Sequence, residues 1–537
     1  MGTNTLLCIV LVGSALPRTL LAQAPSLGTA ADFALFSSVG AVTNTGISHV
    51  TGHVGTNSGS STGFGNVNGV MHDNDGASAQ AFADVLSAYN QLNSTVATMF
   101  PAPLMGNGQV LTSGVYAINA PATLDHDLTL NAQGNADAVF IIKIQGAFST
   151  YADAKVKLIN GALACNVFWK VEGLVSMASG TMMKGTIIAN NAAIHMNAND
   201  TLEGRALSTA GAVTLDGAMV YTPTGCGSPI LTGPAPPPLG AMACYGLFSA
   251  SGPVSNSGIT YVNGDVGTNS GSTTGFNASH VNGSVHLIPD GSTAQCASDL
   301  AEAYTHLNTL DHDIVLLYPA QFGNDLVLTP HTYLLDAATV LTDTLYLDAM
   351  NNVNAVFVIK INGALTTSTY SRVVLRNGAR STHVFWKVEG AVNINNYSVF
   401  RGNLICNNGA LGAINTGVTL DGRAFTTTGA LTTTNITTTM ACDLTSDVPD
   451  GSTMGGGTGI SIFPNPFTSS FELLLDGNMP GPYWLRLFSV TGAEVKSTLI
   501  AQPLTTVGSS DLAPGIYSYQ LTGMDGTVRS GKLVSEQ

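Results

Sequence analysis

One heptapeptide occurs twice in this chain: Val167-Phe168-Trp169-Lys170-Val171-Glu172-Gly173 returns unchanged at 384–390. Gly55-Thr56-Asn57-Ser58-Gly59 returns at 267–271, Thr62-Gly63-Phe64 at 274–276, and Leu202-Glu203-Gly204-Arg205-Ala206 is matched by Leu420-Asp421-Gly422-Arg423-Ala424. The offset drifts only from 212 to 218, so short insertions separate two copies of one unit, 28–226 and 240–442, joined by a proline-rich segment at 227–239. Pro234 to Pro238 makes that segment a stiff hinge, and each unit is domain-sized.

A finer period runs inside each unit. Residues 167–185, 186–204 and 205–222 are successive segments of about 19 residues, each holding short alternating runs broken by Gly or Asn. Three short strands per segment make one coil of a β-solenoid, with Gly permitting the sharp corners. Val213 and Leu215 then point inward and Thr214 outward; His195 and Ser176 take the same outward place one and two coils back. In the second unit that column reads Asn393, Gly412 and Thr432. A second face turns Ile141 and Phe168 outward beside Lys143 and Lys170. An amphipathic helix carrying Phe82, Val85, Leu86, Tyr89, Leu92, Val96 and Met99 is expected to cover it, with Ala297, Leu300, Tyr304, Leu307 and Ile314 as the second copy.

Charged residues are 9% of the chain against roughly 25% in an ordinary soluble domain, and the net charge is −15. A basic nucleic-acid surface is therefore excluded. With 45% apolar residues the chain is not disordered. Gly, Thr, Asn and Ser dominate where an all-helical protein would want Glu, Lys, Arg and Leu.

Residues 1–22 read as a secretory signal, and no later stretch is apolar enough to span a membrane as a helix. Six cysteines remain beyond it: Cys165, Cys226, Cys244, Cys296, Cys406 and Cys442. An even count in an exported chain suggests disulfides. Pairing within units leaves Cys165 with Cys226, while the other four allow three connectivities. Beyond a linker at 443–459, residues 460–537 hold short strands between turn residues, the pattern of a small β-sandwich. Phe463-Pro464-Asn465-Pro466-Phe467, Leu487-Phe488-Ser489-Val490-Thr491-Gly492, Leu512-Ala513-Pro514-Gly515-Ile516-Tyr517 and Gly531-Lys532-Leu533-Val534 resemble the C-terminal sorting domain of type IX secretion. That resemblance implies a Gram-negative, Bacteroidetes-type host, the type IX machinery as partner, and a secreted or outer-surface location.

A flat wall of Thr, Ser, Asn, Gly and Ala without long charged side chains can hold first-shell water in a regular pattern. It would suit a surface that is itself ordered. Both units also resemble the DUF3494 ice-binding domain family, through Gly52-His53-Val54-Gly55 and Gly264-Asp265-Val266-Gly267, the helix that follows, Gly114-Val115-Tyr116, Ala138-Val139-Phe140-Ile141-Ile142, Val167-Phe168-Trp169, and Gly204-Arg205-Ala206-Leu207. The resemblance implies a mainly β chain: two right-handed, discontinuous β-solenoids of triangular section, each with one long α-helix alongside, then the Ig-like sandwich. It implies adsorption to ice, inhibition of ice growth and recrystallisation, no cofactor and no catalysis. The expected contact residues are Ser176, His195, Thr209 and Thr214 in unit one, and Asn393, Asn395, Gly412, Asn415, Thr416, Thr419, Thr428 and Thr432 in unit two. Thr416-Gly417-Val418-Thr419 fits the Thr-Ala/Gly-x-Thr/Asn pattern of some members. His195 and the neighbouring Met177, Met182, Met183 and Met196 are bulkier than the family norm, so unit two is expected to bind at least as well. A monomer is expected.

The chemical alternatives are thin. Asp125-His126-Asp127 and Asp311-His312-Asp313 do not occupy equivalent positions, so no shared metal site follows. Gly63-Phe64-Gly65 lacks the Lys and helix of a phosphate loop. Arg205 and Arg423 suggest pairing with a local carboxylate or carbonyl. Glu172 and Glu389 have no second carboxylate for glycosidase work. A polysaccharide lyase would need clustered Asp and a Lys or Arg base, and a glycan-binding adhesin would need aromatic platforms or calcium loops.

Overall fold

The computed structural model describes residues 22–226 and 230–439 and, in the tail, 460–463, 467–475, 482–489, 492–502, 504–509, 511–523 and 528–535. Residues 1–21 of the expected signal, Cys442 and the 443–459 linker lie outside these residues.

The short alternating runs pair in parallel, coil on coil. The coil opening at Val167–Val171 continues through Val175–Ser176 into Met182–Ala189. The second half of that last strand returns against the first (Phe168↔Thr186, Trp169↔Ile187), while its first half pairs elsewhere (Met182↔Lys155). The bend between the halves falls at Gly185, whose φ of 103° disfavours any side chain. Each coil thus contributes to three faces. Among the described residues, one sheet of thirteen strands wraps two faces of unit one and a sheet of eight forms the third; unit two has sheets of twelve and eight, plus a two-stranded pair at one end. Inward rows such as Val42, Val213, Ile194 and Val175 fill the core.

The stack is out of chain order. Phe33–Ser37 pairs with Thr201–Ser208 on one side and with His53–Thr56 on the other. The chain therefore starts in mid-stack and winds outward to Met71–Asp73. It returns along a helix and restarts at the opposite end with Leu104–Gly106 and Gln109–Thr112, then climbs back to its own beginning.

The returning helix is α1, Gly76–Ser94, with α2, Gly291–Thr309, in unit two. Each opens on a capping box, Asp75 with Ser78 and Asp290 with Thr293. The α1 residues facing the sheet are Ala81, Val85, Ala88 and Leu92, packed on Ile141, Phe168, Ile188 and Leu207. Phe82 and Leu86, expected in the stripe, lie on the outer side of the helix. Val96, Met99 and Ile314 come after the helices end. Lys143 reaches the last turn of α1 and donates to Asn93 O (2.9 Å) and Thr95 O (2.7 Å), carbonyls that have no partner within the helix. Lys360 does the same for α2 at Asn308 O (3.1 Å) and Leu310 O (2.5 Å). Glu172 pairs with buried Lys170 and accepts from Tyr89 (2.7 Å) on α1 and from Asn190 (2.8 Å). Glu389, Lys387, Tyr304 and Asn407 repeat the set. Arg205 and Arg423 donate to Ala31 O (2.7 Å) and Ala243 O (2.7 Å), fastening the short 3-10 turn that starts each unit.

Cys165 and Cys226 are joined, and Cys244 is also disulfide-bonded. Cys296 and Cys406 are buried free thiols, which corrects the expectation that all six cysteines pair. Cys296 packs in the α2 stripe. Cys406 donates to Gly390 O (2.9 Å) at a corner where Ser249, Thr268 and Thr426 use hydroxyls in neighbouring coils. Burial pushes the Cys406 thiol up to about 12.

The two solenoids meet end to end. Asn68 of unit one donates to Thr329 Oγ1 (3.1 Å) and accepts from the Tyr333 hydroxyl (2.8 Å), all three being buried. Asn66 donates to Tyr318 O (2.9 Å) and accepts from its N–H (2.9 Å). The tail is a separate body. One antiparallel sheet joins Ile460–Phe463, Ser470–Leu475 and Leu504–Gly508, and a second joins Tyr483–Phe488, Glu494–Ile500, Gly515–Gly523 and Val528–Ser535. Phe467, Phe471, Leu485, Leu487, Leu521 and Leu533 fill its core.

Candidate functional site

The three faces of a solenoid differ in what they show to solvent. The helix covers one. The second carries the charge: Lys155, Lys157 and Lys184 face Asp127 and Glu203 in unit one, with Lys184–Glu203 at 2.6 Å. In unit two, Arg372, Arg376 and Arg401 share that face with Asp421, and Arg376 stacks 3.3 Å over the Tyr346 ring. The third face is the eight-stranded sheet.

In unit two none of the eight strands of this sheet holds an Asp, Glu, Lys, Arg or His. Its register lines up two outward ranks. The first runs Thr274, Ser255, Thr432, Ala413, Asn393, Thr366, Val340; the second runs Ser257, Thr434, Asn415, Asn395, Ser368, Thr342. Two residues along a strand and one coil across set a grid of roughly 6.7 Å by about 4.8 Å. Beside the first rank runs a third, Pro253, Ala430, Ala410, Ala391, Ala364 and Ala338, held by backbone bonds such as Val392 N–H to Ala410 O and Leu365 N–H to Ala391 O. Ser257 and Thr434 hydroxyls meet at 2.9 Å, and Asn415 donates to Asn393 (3.2 Å) and Asn395 (3.3 Å). These bonds tie neighbouring side chains together within the second rank and, at Asn393, across to the first.

Unit one builds the same sheet less evenly. Its first rank runs Thr62, Thr43, Thr214, His195, Ser176, Ser149, Thr123, Leu104, and its second Thr45, Asp216, Asn197, Ala178, Tyr151, Asp125. Two carboxylates, a tyrosine and a histidine interrupt it. His195 Nδ1 lies 2.5 Å from Thr214 Oγ1, so the ring is held against its neighbour.

Ser176, His195, Thr214, Asn393 and Thr432 stand in the first ranks, and Asn395 and Asn415 in the second. Gly412 lies in a bulge: Asn393 pairs with Ala413, and two residues stand where one is usual. The remaining four expected residues are off the grid. Thr209 sits at the corner before the sheet, donating to Asn190 Oδ1 (2.9 Å) and accepting from Asn191 N–H (2.9 Å). Thr428 lies in the matching corner of unit two, its carbonyl taken by Thr426. Thr416 follows Asn415 into the next turn, and Thr419 opens Thr419–Thr426 on the charged face, paired with Val399 and Thr437. The Thr416-Gly417-Val418-Thr419 motif therefore runs around a corner and does not lie in one plane. Thr366, Ser368, Thr342, Ser255, Ser257, Thr274 and Thr434 escaped the sequence reading. Period two alone did not separate them from the inward Thr367 and Thr433, which are buried.

Other candidate chemistry disperses. Among the described residues no group of three His, Cys, Asp or Glu side chains is placed to hold a metal. His126 is exposed against Asp125, and Asp127 pairs with Lys157. Asp313 accepts from Thr332 N–H (2.8 Å) in a different part of the coil. No described helix is long and apolar enough to cross a membrane.

Two stretches, 36–221 and 248–439, match the family model described as Ice-binding-like, and 461–536 matches the Secretion system C-terminal sorting domain. The chain belongs to the ice-binding-like family, carries two copies of its domain, and ends in a sorting tail that directs it to secretion or the outer surface. An ice-binding protein of a Nostoc species is 35% identical over 39% of this chain and 79% of its own length. One from a Colwellia species is 29% identical over 42% of this chain and 94% of its own. The crystal structure of an ice binding protein from an Antarctic Flavobacteriaceae bacterium is 59% identical, covering 79% of this chain and all of that one, with a TM-score of 0.77.

Proposed function

We propose that this chain is a secreted, non-catalytic ice-binding protein that adsorbs to ice through the flat eight-stranded face of its solenoids, unit two at least as strongly as unit one. The observation that carries the reading is the uncharged, two-rank grid of unit two. Its hydroxyls and amides hold first-shell water, and the intervening methyl groups restrict where that water sits. Water already ordered by the grid joins the crystal lattice at little entropic cost, and the adsorbed protein blocks further growth between anchor points. The charged face cannot do this, since long side chains are mobile and strongly hydrated.

The test is ice-crystal shape and recrystallisation in dilute solutions of the full chain and of Asn393→Tyr and His195→Tyr. Asn393→Tyr is expected to abolish most of the inhibition, and His195→Tyr to leave most of it. Unhindered growth in the presence of the unaltered protein would end the proposal. An adhesin reading gains little from the exposed pair Tyr370 and Tyr397: they stack on each other at 5.1 Å, which turns a face of each ring away from any ligand.

A further inference from the structure

The junction between the solenoids is assembled from parts that the duplication repeats, so each half has a twin at an outer end of the molecule. On the unit-two side the lock is Thr329 and Tyr333, the tyrosine donating to Thr329 O (2.7 Å) and to Asn68. Thr112 and Tyr116 occupy the same rungs in unit one: Tyr116 pairs with Ile142 as Tyr333 pairs with Ile359, and it donates to Thr112 O (2.6 Å). On the unit-one side the lock is Val67-Asn68-Gly69, and Val281-Asn282-Gly283 is its twin, Asn282 opposite Asn263 as Asn68 is opposite Thr51. Asn68 is 3% exposed in the junction, whereas Asn282 faces solvent. At the other outer end Gln109–Thr112 is an edge strand, and Phe100 (67%), Leu104 (57%) and Val110 (55%) are exposed. Val110 is the twin of Val327, which is half-buried at the internal junction.

We propose that the partner for these two ends is a second copy of this chain, the outer end of unit one in one molecule docking on the outer end of unit two in the next and repeating the internal junction. The two surfaces differ, so the contact is heterologous and does not close on itself; the product is an open head-to-tail row. Open β-edges and apolar side chains at a solenoid end are surfaces that ordinarily need a cap. The contact is weaker than the internal one for two reasons. No linker supplies an effective concentration, and the Asn66 bonds have no twin, because two extra residues precede His280 in unit two. A row of linked solenoids would add anchor points on one crystal without new chemistry.

Sedimentation velocity of the full chain across a concentration series tests this, with two surface variants, Val110→Lys at one end and Asn282→Lys at the other. The average mass of the unaltered protein is expected to climb with concentration past a dimer. Each variant alone is expected to stay monomeric, and an equal mixture of the two to form dimers and nothing larger, because each retains the end that the other has lost. Unchanged melting temperatures would show that both variants fold. A monomer at every soluble concentration, association that either variant leaves intact, or a mixture that stays monomeric while the unaltered protein associates would each overturn the proposal.

Discussion

At the flat face, one residue decides between two kinds of surface. A threonine offers a hydroxyl and a methyl on a stiff, β-branched stem, so the water above it is both held and confined. Thr366 stands mid-grid between Asn393 and Val340. Thr366→Val keeps the shape and removes the hydroxyl, and a partial loss of recrystallisation inhibition is expected with no change in melting temperature. Asp200 behaves differently. It is buried at a corner of unit one, accepting from Thr181 N–H (2.9 Å) and Asn197 N–H (2.7 Å). Burial outweighs those bonds and raises its pKa to about 6. The folded state thus binds the proton more tightly than the unfolded one, so this group's contribution is complete below about pH 4 and is lost as pH rises towards 6, by at most about 3 kcal/mol. Melting temperatures measured from pH 4 to 7 should fall through that window, and Asp200→Asn should flatten the slope. None of this is legible in the pattern of residues: the position that Asp200 shares in the stack is filled by Val418 in unit two, and nothing in the spacing marks a buried carboxylate.

The helix meets its sheet through both apolar packing and a charged network. Its contact stripe is made of Ala81, Val85, Ala88 and Leu92, while Phe82 and Leu86 lie outside it. Periodicity located the helix but ranked its residues by hydrophobicity, and so chose the wrong edge of the stripe. It did place Ile141 and Phe168 beneath the helix. The recurring Glu172 and Glu389 are the fasteners. Burial pushes Glu172 up, but hydrogen bonds from Lys170, Asn190 and Tyr89 outweigh it and hold the carboxyl below its usual value; Glu389 is held down in the same way. Their contribution is present above the ordinary glutamate pKa and is lost as pH falls through the lowered one, the opposite sense to Asp200. Glu172→Gln leaves buried Lys170 without its counter-charge, and a loss of about 3 kcal/mol is expected at pH 7, read from denaturant unfolding. An unchanged midpoint would show the helix to be held by packing alone.

Over the whole molecule, the repeat was legible and the order of stacking was not. Spacing within 167–222 fixed the coil and its outward column, because consecutive coils are neighbours there. The first rank of unit two, however, sets Ser255 against Thr432, residues at opposite ends of the unit, and no local period reveals that adjacency. The same long-range closure makes each solenoid one cooperative body, since removing the strand at 33–37 would separate 201–208 from 53–56. Cooperativity should extend across the junction as well. Asn68, Thr329 and Tyr333 bond across a buried contact, so unfolding either solenoid uncovers that face of the other and costs it those bonds. Calorimetry of the full chain is expected to show both solenoids melting in one transition. Asn68→Ala leaves the Tyr333 hydroxyl without its Asn68 acceptor and Thr329 without its Asn68 donor, weakening the contact by about 1–3 kcal/mol. The single transition should then split into two, with each unit's own eight-stranded face unaltered. Two transitions already present in the unaltered protein would mean that the solenoids are joined by their linker and merely touch.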